Sequence, residues 1–255
     1  MPLPWWARIV LRCVRCVISV EHVAFIMDGN RRFARLMGME VHKGHRCGLN
    51  KLMEVIEMCQ LLGIKVITVY AFSLQNFQRS ETEVNNIINL ATETAKSRLQ
   101  PGHKQTFAIK FHGDMRFLPE YLRKTLQEAE ELSDKLKTED QILVNVCVSY
   151  GGRNEIARAK EKIANIPGDR THEEEAKLFY SLLVGGEYKP PEILIRTSGV
   201  TRLSDFLIYQ CSEFTTFYFL HDTWPELSMW SLIGTLIHWT IFCGRKSTDR
   251  GYTIF

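Results

Sequence analysis

The hydrophobic positions of the chain alternate between short continuous apolar runs and longer segments with a helical period. Runs such as residues 23–27 and 64–72 are rich in apolar, largely β-branched side chains and end abruptly on polar ones, which is typical of strands buried on both faces. Between such runs, apolar residues recur every three or four positions, as at 44–62. This alternation predicts an α/β fold: a single domain with a mainly parallel central sheet flanked by helices.

The pattern also sets the expected bounds of each element. Strands are predicted at residues 23–27, 64–72, 106–111, 142–149, 193–195, 206–209 and 217–220. Helices are predicted at 44–62, 80–99, 118–136, from the turn at 150–154 to 164, 173–183 and 225–242, and Ser80 with Glu83 forms a capping-box pattern at the start of the second. We expect three regions: an N-terminal helix at 1–20, the α/β domain at 21–243 and a tail at 244–255.

The N-terminal segment predicts an amphipathic helix with a basic stripe. Trp5 and Trp6 lie among aliphatic residues, and Arg8, Arg12 and Arg15 recur at helical spacing. The apolar run is too short and too charged to span a bilayer. Tryptophans beside one basic face are typical of a helix that lies in a membrane interface, which is the interpretation we favour. The alternative is a helix packed on the protein's own core or on a partner.

Composition excludes several classes of protein. With 45% apolar and 24% charged residues the chain is globular, and a net charge of +3 without a Lys/Arg block argues against nucleic acid as a partner. Of seven cysteines, Cys13 and Cys16 alone form a C-x-x-C, and no second pair completes a zinc site. Scattered cysteines fit a reduced, cytosol-facing protein.

Polar residues at strand ends carry the candidate chemistry. The run 23–27 ends on Asp28-Gly29-Asn30-Arg31-Arg32, an acid followed by two arginines in what reads as the first turn of a helix. A carboxylate beside cationic side chains suits a Mg²⁺ ion that bridges the acid and a diphosphate, since hard cations take oxygen ligands. The alternative is an Asp that simply caps a surface helix.

Two further strand ends are rich in arginine and hydroxyl groups. They are Ser73–Arg79 after the second strand and the stretch 196–206 after the strand at 193–195. Because carboxyl ends of parallel strands share one edge of a sheet, we expect four arginines to converge there: Arg32, Arg79, Arg196 and Arg202. Guanidinium groups bind anions through forked, charge-assisted contacts, so this cluster predicts two anionic groups bound side by side.

Residues 22–32, 70–80 and 195–206, together with Trp224-Pro225, closely resemble the signature regions of the cis-prenyltransferases, the undecaprenyl and dehydrodolichyl diphosphate synthases. Arg31 after Asn30 is more similar to the eukaryotic dehydrodolichyl type. The resemblance implies a catalytic subunit of cis-prenyltransferase fold that condenses isopentenyl diphosphate repeatedly onto an allylic diphosphate such as farnesyl diphosphate. The product would be a Z-polyprenyl diphosphate of the dolichol-precursor type, and Mg²⁺ the cofactor.

The same resemblance implies residue roles. Asp28 would bind the metal, and Asn30 and Ser73 would lie near the reacting carbons with it as the catalytic set. The allylic diphosphate would be held by Gly29, Arg32, His45 and Arg79, with Asn76 also in the substrate site. Arg196, Arg202 and Ser204 would hold isopentenyl diphosphate.

Three positions depart from the family pattern. Gln75 replaces a usual glutamate, and Val41 replaces a usual arginine, for which His42 or Lys43 could compensate. The metal-binding glutamate of the bacterial enzymes falls on Thr216, with Glu213 nearby, so a direct second metal ligand is not expected.

The tail at 244–255 lacks the Arg-x-Gly triplet of single-subunit members. We therefore expect a Nogo-B-receptor-like accessory subunit to supply it, in a heteromer on the cytosolic face of the endoplasmic reticulum membrane. One alternative function is a non-catalytic accessory subunit, although such subunits typically lose the Asp-Gly-Asn turn. Another is a nucleotide-binding phosphotransferase, which the absence of a P-loop motif disfavours.

Overall fold

The computed structural model describes residues 3–244, and within them six strands form one sheet. Every paired strand runs parallel to its neighbour, in the order β3-β4-β2-β1-β5-β6. The strands are β1 (His22–Ile26), β2 (Val66–Ser73), β3 (Ala108–His112), β4 (Leu143–Tyr150), β5 (Ile193–Arg196) and β6 (Thr216–Phe219). The predicted parallel α/β fold is confirmed.

Helices connect the strands and cover the sheet. They are α1 (Trp5–Val14), α2 (Asn30–Leu36), α3 (Val41–Leu61), α4 (Glu81–Arg98), α5 (Glu120–Leu136), α6 (Gly152–Ala164), α7 (His172–Ser181) and α8 (Met229–Phe242). Because all carboxyl ends of the strands lie at one edge, the turns after β1, β2 and β5 meet there. The register pairs Ile26 with both Tyr70 and Arg196, which sets the two neighbouring strands beside Asp28.

The predicted strand at 206–209 is wrong. Phe206 and Leu207 are buried, which explains their apolar character, but they lie in irregular turns after β5. Ser204, Asp205 and Leu207 have φ of 53°, 65° and 44°, in the left-handed region that interrupts an extended strand.

The predicted helix at 225–242 is divided. A 3₁₀ turn at Trp224–Glu226 comes first, and α8 begins after Ser228, whose side chain accepts a hydrogen bond from the Ser231 N–H (3.0 Å). The tail predicted at 244–255 lies outside the described residues apart from Gly244.

Helix α1 is amphipathic, and one of its faces packs on the domain. Leu3, Ala7 and Leu11 join the main hydrophobic core, and Arg8 pairs with Glu57 of α3 (2.6 Å). Trp5 and Ile9 on the opposite side remain 75% and 52% exposed. The helix thus packs on its own core while leaving an apolar surface uncovered. Over residues 3–244, no helix has both the length and the apolar character needed to traverse a bilayer.

The amino edge of the sheet is joined by a buried polar network centred on His22. Its Nδ1 lies 2.8 Å from the Lys189 carbonyl oxygen and its Nε2 lies 2.8 Å from Thr68 Oγ1. The Glu192 carboxylate accepts hydrogen bonds from the backbone N–H groups of Glu21 and His22. Burial lowers the pKa of His22 to about 4, so the ring is neutral at physiological pH.

This network predicts an acid-sensitive fold. The folded pKa of His22 lies below the usual value near 6.5, so its stabilisation is complete above about pH 6.5 and is lost as pH falls towards about 4. The loss is of order 3 kcal/mol. Urea unfolding of a His22→Asn variant should show a flatter dependence of unfolding free energy on pH than the wild type. His103→Asn, at an exposed histidine, should keep the wild-type slope. Equal slopes for all three proteins would contradict the assignment.

Candidate active site

The turn after β1 holds Asp28 against the end of β5. Asp28 Oδ2 accepts a hydrogen bond from the Arg196 guanidinium (2.8 Å), and its Oδ1 accepts one from the Gly29 N–H (2.8 Å). The Asp28 carbonyl is held by Thr197 Oγ1 (2.7 Å) and by the Trp224 N–H (2.9 Å). The carboxylate is therefore placed by three separate segments of the chain.

Gly29, and not Asp28, occupies the N-cap position of α2. Its φ is 105°, and a Cβ there would lie 2.8 Å from Thr223 Cβ and 3.1 Å from Ser198 Cβ. Only glycine fits this turn without strain. The alternative that Asp28 is an ordinary helix cap is wrong, because its side chain makes no capping bond to α2.

Arg196 is the buried centre of the site. Its side chain is 5% exposed, and besides Asp28 it donates to Ser204 Oγ (2.8 Å) and to the Arg202 carbonyl. Its Nε has no protein partner. A buried guanidinium shared by the end of β1 and the loop after β5 links the two strand ends that the sequence predicted to meet.

A cavity of about 510 Å³ opens at this edge of the sheet and collects the predicted site residues. It is lined by Asp28, Gly29, Asn30, Arg32, His45, Ser73, Asn76, Arg79, Arg196, Arg202 and Ser204, and also by Arg31, Arg35 and Gln75. Among these lining residues, six arginines face a single carboxylate. Such a surface attracts highly charged anions.

Glu83 of α4 is a site residue that sequence reasoning missed. Its Oε1 accepts a hydrogen bond from Arg79 (3.0 Å) and lies 3.3 Å from His45 Nε2 and 3.6 Å from Arg31 Nε. In the predicted capping box the Ser80 hydroxyl does accept from the Glu83 N–H (3.4 Å), but the carboxylate turns to these three cationic or imidazole groups instead of back to Ser80. The signal available in the sequence was the spacing of four residues between Arg79 and Glu83, which favours an ion pair between them.

His45 lies beside this carboxylate and is largely uncharged at neutral pH. Burial lowers its pKa, and the hydrogen bond to Glu83 opposes that shift only in part. A neutral imidazole can donate one hydrogen bond to a phosphate oxygen without adding fixed charge.

Ser73 and Asn76 bind each other across the turn after β2. The Asn76 N–H donates to Ser73 Oγ (3.1 Å), and the Ser73 N–H donates to Asn76 Oδ1 (3.1 Å). This reciprocal cap fixes the turn at Leu74–Gln78 and with it the path towards Arg79. Both residues line the cavity, so their reciprocal hydrogen bonds also fix part of the cavity wall.

Asn30 is held by close packing between α2 and α3. Gly44 and Gly48 of α3 lie directly against it, and a Cβ at Gly48 would overlap Asn30 Oδ1. That oxygen is buried without a protein hydrogen-bond partner. The Gly48 carbonyl in turn accepts the Trp224 indole N–H (2.8 Å). Two glycines on α3 thus allow the close approach of α2 that fixes Asn30 at the cavity wall.

The positions that depart from the family pattern are also located. Thr216 lies at the amino end of β6, away from Asp28, and its hydroxyl accepts a hydrogen bond from the Trp239 indole N–H (3.2 Å). Glu213 is exposed before that strand. His42 and Lys43 contact Glu40 and do not line the cavity. No cluster of three metal-binding side chains occurs in the part of the chain that the structure describes.

The parallel sheet and the cavity at its carboxyl edge define an α/β protein with a strongly cationic candidate site. Residues 26–245 match the family model described as "Putative undecaprenyl diphosphate synthase". The chain is 39% identical to the geranylgeranyl-diphosphate-specific tritrans,polycis-undecaprenyl-diphosphate synthase of Archaeoglobus fulgidus, over 90% of this chain and 92% of that one. It is 35% identical to the dehydrodolichyl diphosphate synthase complex subunit of Homo sapiens, over 92% of this chain and 71% of that one.

A solved structure is also similar to this chain in both fold and sequence. Lavandulyl diphosphate synthase from Lavandula x intermedia, in complex with dimethylallyl diphosphate, is similar with a TM-score of 0.76 and 33% identity over 87% of this chain and 95% of that one. The chain belongs to the cis-prenyltransferase family, as its motifs predicted.

The packing of Asn30 against α3 gives a stability prediction. Gly48→Ala should destabilise the fold by about 1–3 kcal/mol, because the new Cβ overlaps the Asn30 side chain in a closely packed helix pair. Gly234→Ala in α8 is the matched control: a Cβ there meets nothing within 4 Å, and the change should be neutral or stabilise by up to about 1 kcal/mol. Both are measured by chemical denaturation; equal effects would contradict the proposed packing role of Gly48.

Proposed function

We propose that the chain is a catalytic subunit that condenses isopentenyl diphosphate repeatedly onto an allylic diphosphate, such as farnesyl diphosphate, to make a Z-polyprenyl diphosphate used as a dolichol precursor. The observation that carries this is the 2.8 Å contact between Asp28 and Arg196 inside an arginine-lined cavity. One carboxylate and many guanidinium groups suit two diphosphates and a cation.

The site divides into two anion-binding groups. Arg32, His45 and Arg79, with the backbone at Gly29, would hold the allylic diphosphate at the start of α2. Arg196, Arg202 and Ser204 would hold isopentenyl diphosphate beside β5. As the allylic C–O bond breaks, the leaving diphosphate gains charge, and cations already in place stabilise that state more than the ground state.

Two features of the chain would favour this reaction. Arg196 is held by Asp28 and Ser204 before substrate binds, so little reorganisation is needed. Asn30 and Ser73 line the same cavity, where they would orient the reacting carbons. The new double bond forms when the condensed carbocation loses a proton.

The residues present fit a Mg²⁺ shared with substrate. Asp28 offers one partly exposed carboxylate, and Mg²⁺ is commonly bound through one or two carboxylates plus substrate phosphates and water. Asp28 would hold the ion, which when bound supplies charge neutralisation to the diphosphate.

The decisive experiment is incorporation of radiolabelled isopentenyl diphosphate, with farnesyl or geranylgeranyl diphosphate as primer. Asp28→Ala should abolish turnover while the circular dichroism spectrum stays that of the wild type, because the carboxylate lies at the cavity and Arg196 keeps its bonds to Ser204 and to the Arg202 carbonyl. Glu213→Ala, at the exposed acid before β6, should keep wild-type activity.

The alternative, a non-catalytic accessory subunit, makes the opposite prediction. It requires that the wild-type chain show no incorporation either alone or with a co-expressed Nogo-B-receptor-like partner, because neither subunit would then be catalytic. An Asp28→Ala enzyme that retains most of its activity would contradict the metal assignment itself.

We also propose that the chain works in a heteromer with a Nogo-B-receptor-like subunit that contributes an Arg-x-Gly motif. The human relative carries the name of a complex subunit, which supports this. Co-expression with such a partner should then raise incorporation, and full activity of the isolated chain would argue against it.

A cytosol-facing position on the endoplasmic reticulum membrane is proposed from α1. Trp5, Trp6 and Ile9 form an exposed apolar surface, and Arg12 lies on the same exposed side. Such a helix can lie in a membrane interface while its other face stays in the core.

Bacterially produced protein should therefore float with vesicles that contain acidic phospholipid, and less so at high salt. A Trp5→Ser/Trp6→Ser double variant should lose flotation. Trp230→Ser should keep flotation, because this tryptophan, whose exposure lies between those of Trp5 and Trp6, is on α8. Loss of flotation in the Trp230 variant alone would place the contact elsewhere.

A further inference from the structure

The exposed side of α1 and the turn that follows it carry two cysteines in line with the apolar residues of the helix. Trp6, Ile9 and Cys13 are spaced three and four residues apart, which places them within an arc of about 60° on the helix. Cys16 follows in the turn that closes the helix, where its thiol donates to the Cys13 carbonyl oxygen (2.9 Å). Val17 extends the same stripe and is 48% exposed. We call Trp6, Ile9, Cys13, Cys16 and Val17 the outer stripe.

The outer stripe is separate from the face that holds α1 on the domain. Leu3, Ala7 and Leu11 make that packed face, and none of the outer-stripe residues is buried. Arg12 directly precedes Cys13 and Arg15 directly precedes Cys16, and both arginines are exposed. Positive charge beside an apolar surface favours contact with acidic lipid headgroups.

The other cysteines of the described chain have different surroundings. Cys59, Cys147 and Cys211 are buried, and burial raises the pKa of the Cys211 thiol to about 12, so these thiols are poor nucleophiles. Cys47 and Cys243 are half-buried. Cys13 and Cys16 are the exposed pair within residues 3–244, and no metal-binding cluster includes them there.

We propose that Cys13 and Cys16 are sites of S-acylation by long-chain fatty acyl groups. The thiolate sulfur of the cysteine attacks the carbonyl carbon of a fatty acyl-coenzyme A, and the bond from that carbon to the coenzyme A sulfur breaks. A new thioester forms on the protein, and coenzyme A leaves with the proton that the cysteine lost. Two acyl chains anchor a protein stably, whereas one gives marginal, reversible binding.

This proposal extends the membrane contact proposed for α1, and its chemical readout depends neither on flotation nor on condensation activity. The full chain is expressed in yeast or mammalian cells, free thiols are blocked, and thioesters are cleaved with neutral hydroxylamine. A mass tag then labels each thiol released. We expect up to two tags on the wild type, at most one on Cys13→Ser or Cys16→Ser, and none on the double variant.

Cys47→Ser/Cys243→Ser is the matched control and should keep the wild-type tags. Hydroxylamine should also make the wild-type protein extractable from the membrane fraction by high salt, because only the contact of α1 itself then remains. The Cys13→Ser/Cys16→Ser protein should be extractable by high salt without hydroxylamine and should keep its activity in detergent. The proposal is overturned if no tag is found, if tags persist in the double variant, or if a reductant but not hydroxylamine frees the thiols. The last result would indicate a Cys13–Cys16 disulfide.

Discussion

The contact between Asp28 and Arg196 is the constraint on which the rest of the site depends. It joins the carboxyl ends of β1 and β5, which are neighbours in a parallel sheet and are paired through Ile26 and Arg196. The Arg196 guanidinium is buried, where an unpaired charge would be costly, whereas the Asp28 carboxylate is partly exposed at the cavity. Pairing satisfies them in the absence of substrate and also leaves the arginine fixed where a diphosphate can reach it. A parallel sheet is what makes this possible, because it brings all strand ends to one edge.

Glu83 balances positive charge beside the same cavity, where it contacts the lining residues Arg31, His45 and Arg79. Arg31 and Arg79 lie close together at the start of the proposed allylic site, and like charges repel when no anion is bound. The Glu83 carboxylate sits between them and beside His45, so it stands in for part of the negative charge that a diphosphate would bring. The two cations therefore keep their positions before substrate arrives. A preorganised site of this kind costs less to fill than one whose arginines must be gathered.

Much of this arrangement was predictable from local pattern. The buried strands, the turn at Asp28 and the convergence of four arginines follow from apolar runs that end on polar residues, together with the geometry of parallel strands. Features that depend on contacts between residues distant in sequence, or on the backbone conformation, were not predictable from local pattern. Phe206 looked like part of a strand because it is apolar and buried, yet the left-handed residues around it break the extended backbone. Glu83 looked like a helix cap because its competing partners, Arg31 and His45, are distant in sequence. Gly48 carried no signal, since its role is the space it leaves for Asn30.

Helix α3 connects the arginine-lined cavity with α1. Its first turns carry His45 and the glycines that position Asn30, while its last turns receive α1 through Glu57 and the core. At 21 residues it spans about 30 Å, so α1 is held at a fixed distance from the diphosphate cavity. An enzyme that extends an apolar chain from a charged site needs an apolar environment for the growing product, because exposure to water is unfavourable for each added isoprene unit. With the membrane contact proposed for α1, this rigid attachment would orient the cavity relative to the bilayer, and the packing of α1 on α3 would then bear on where the growing chain goes.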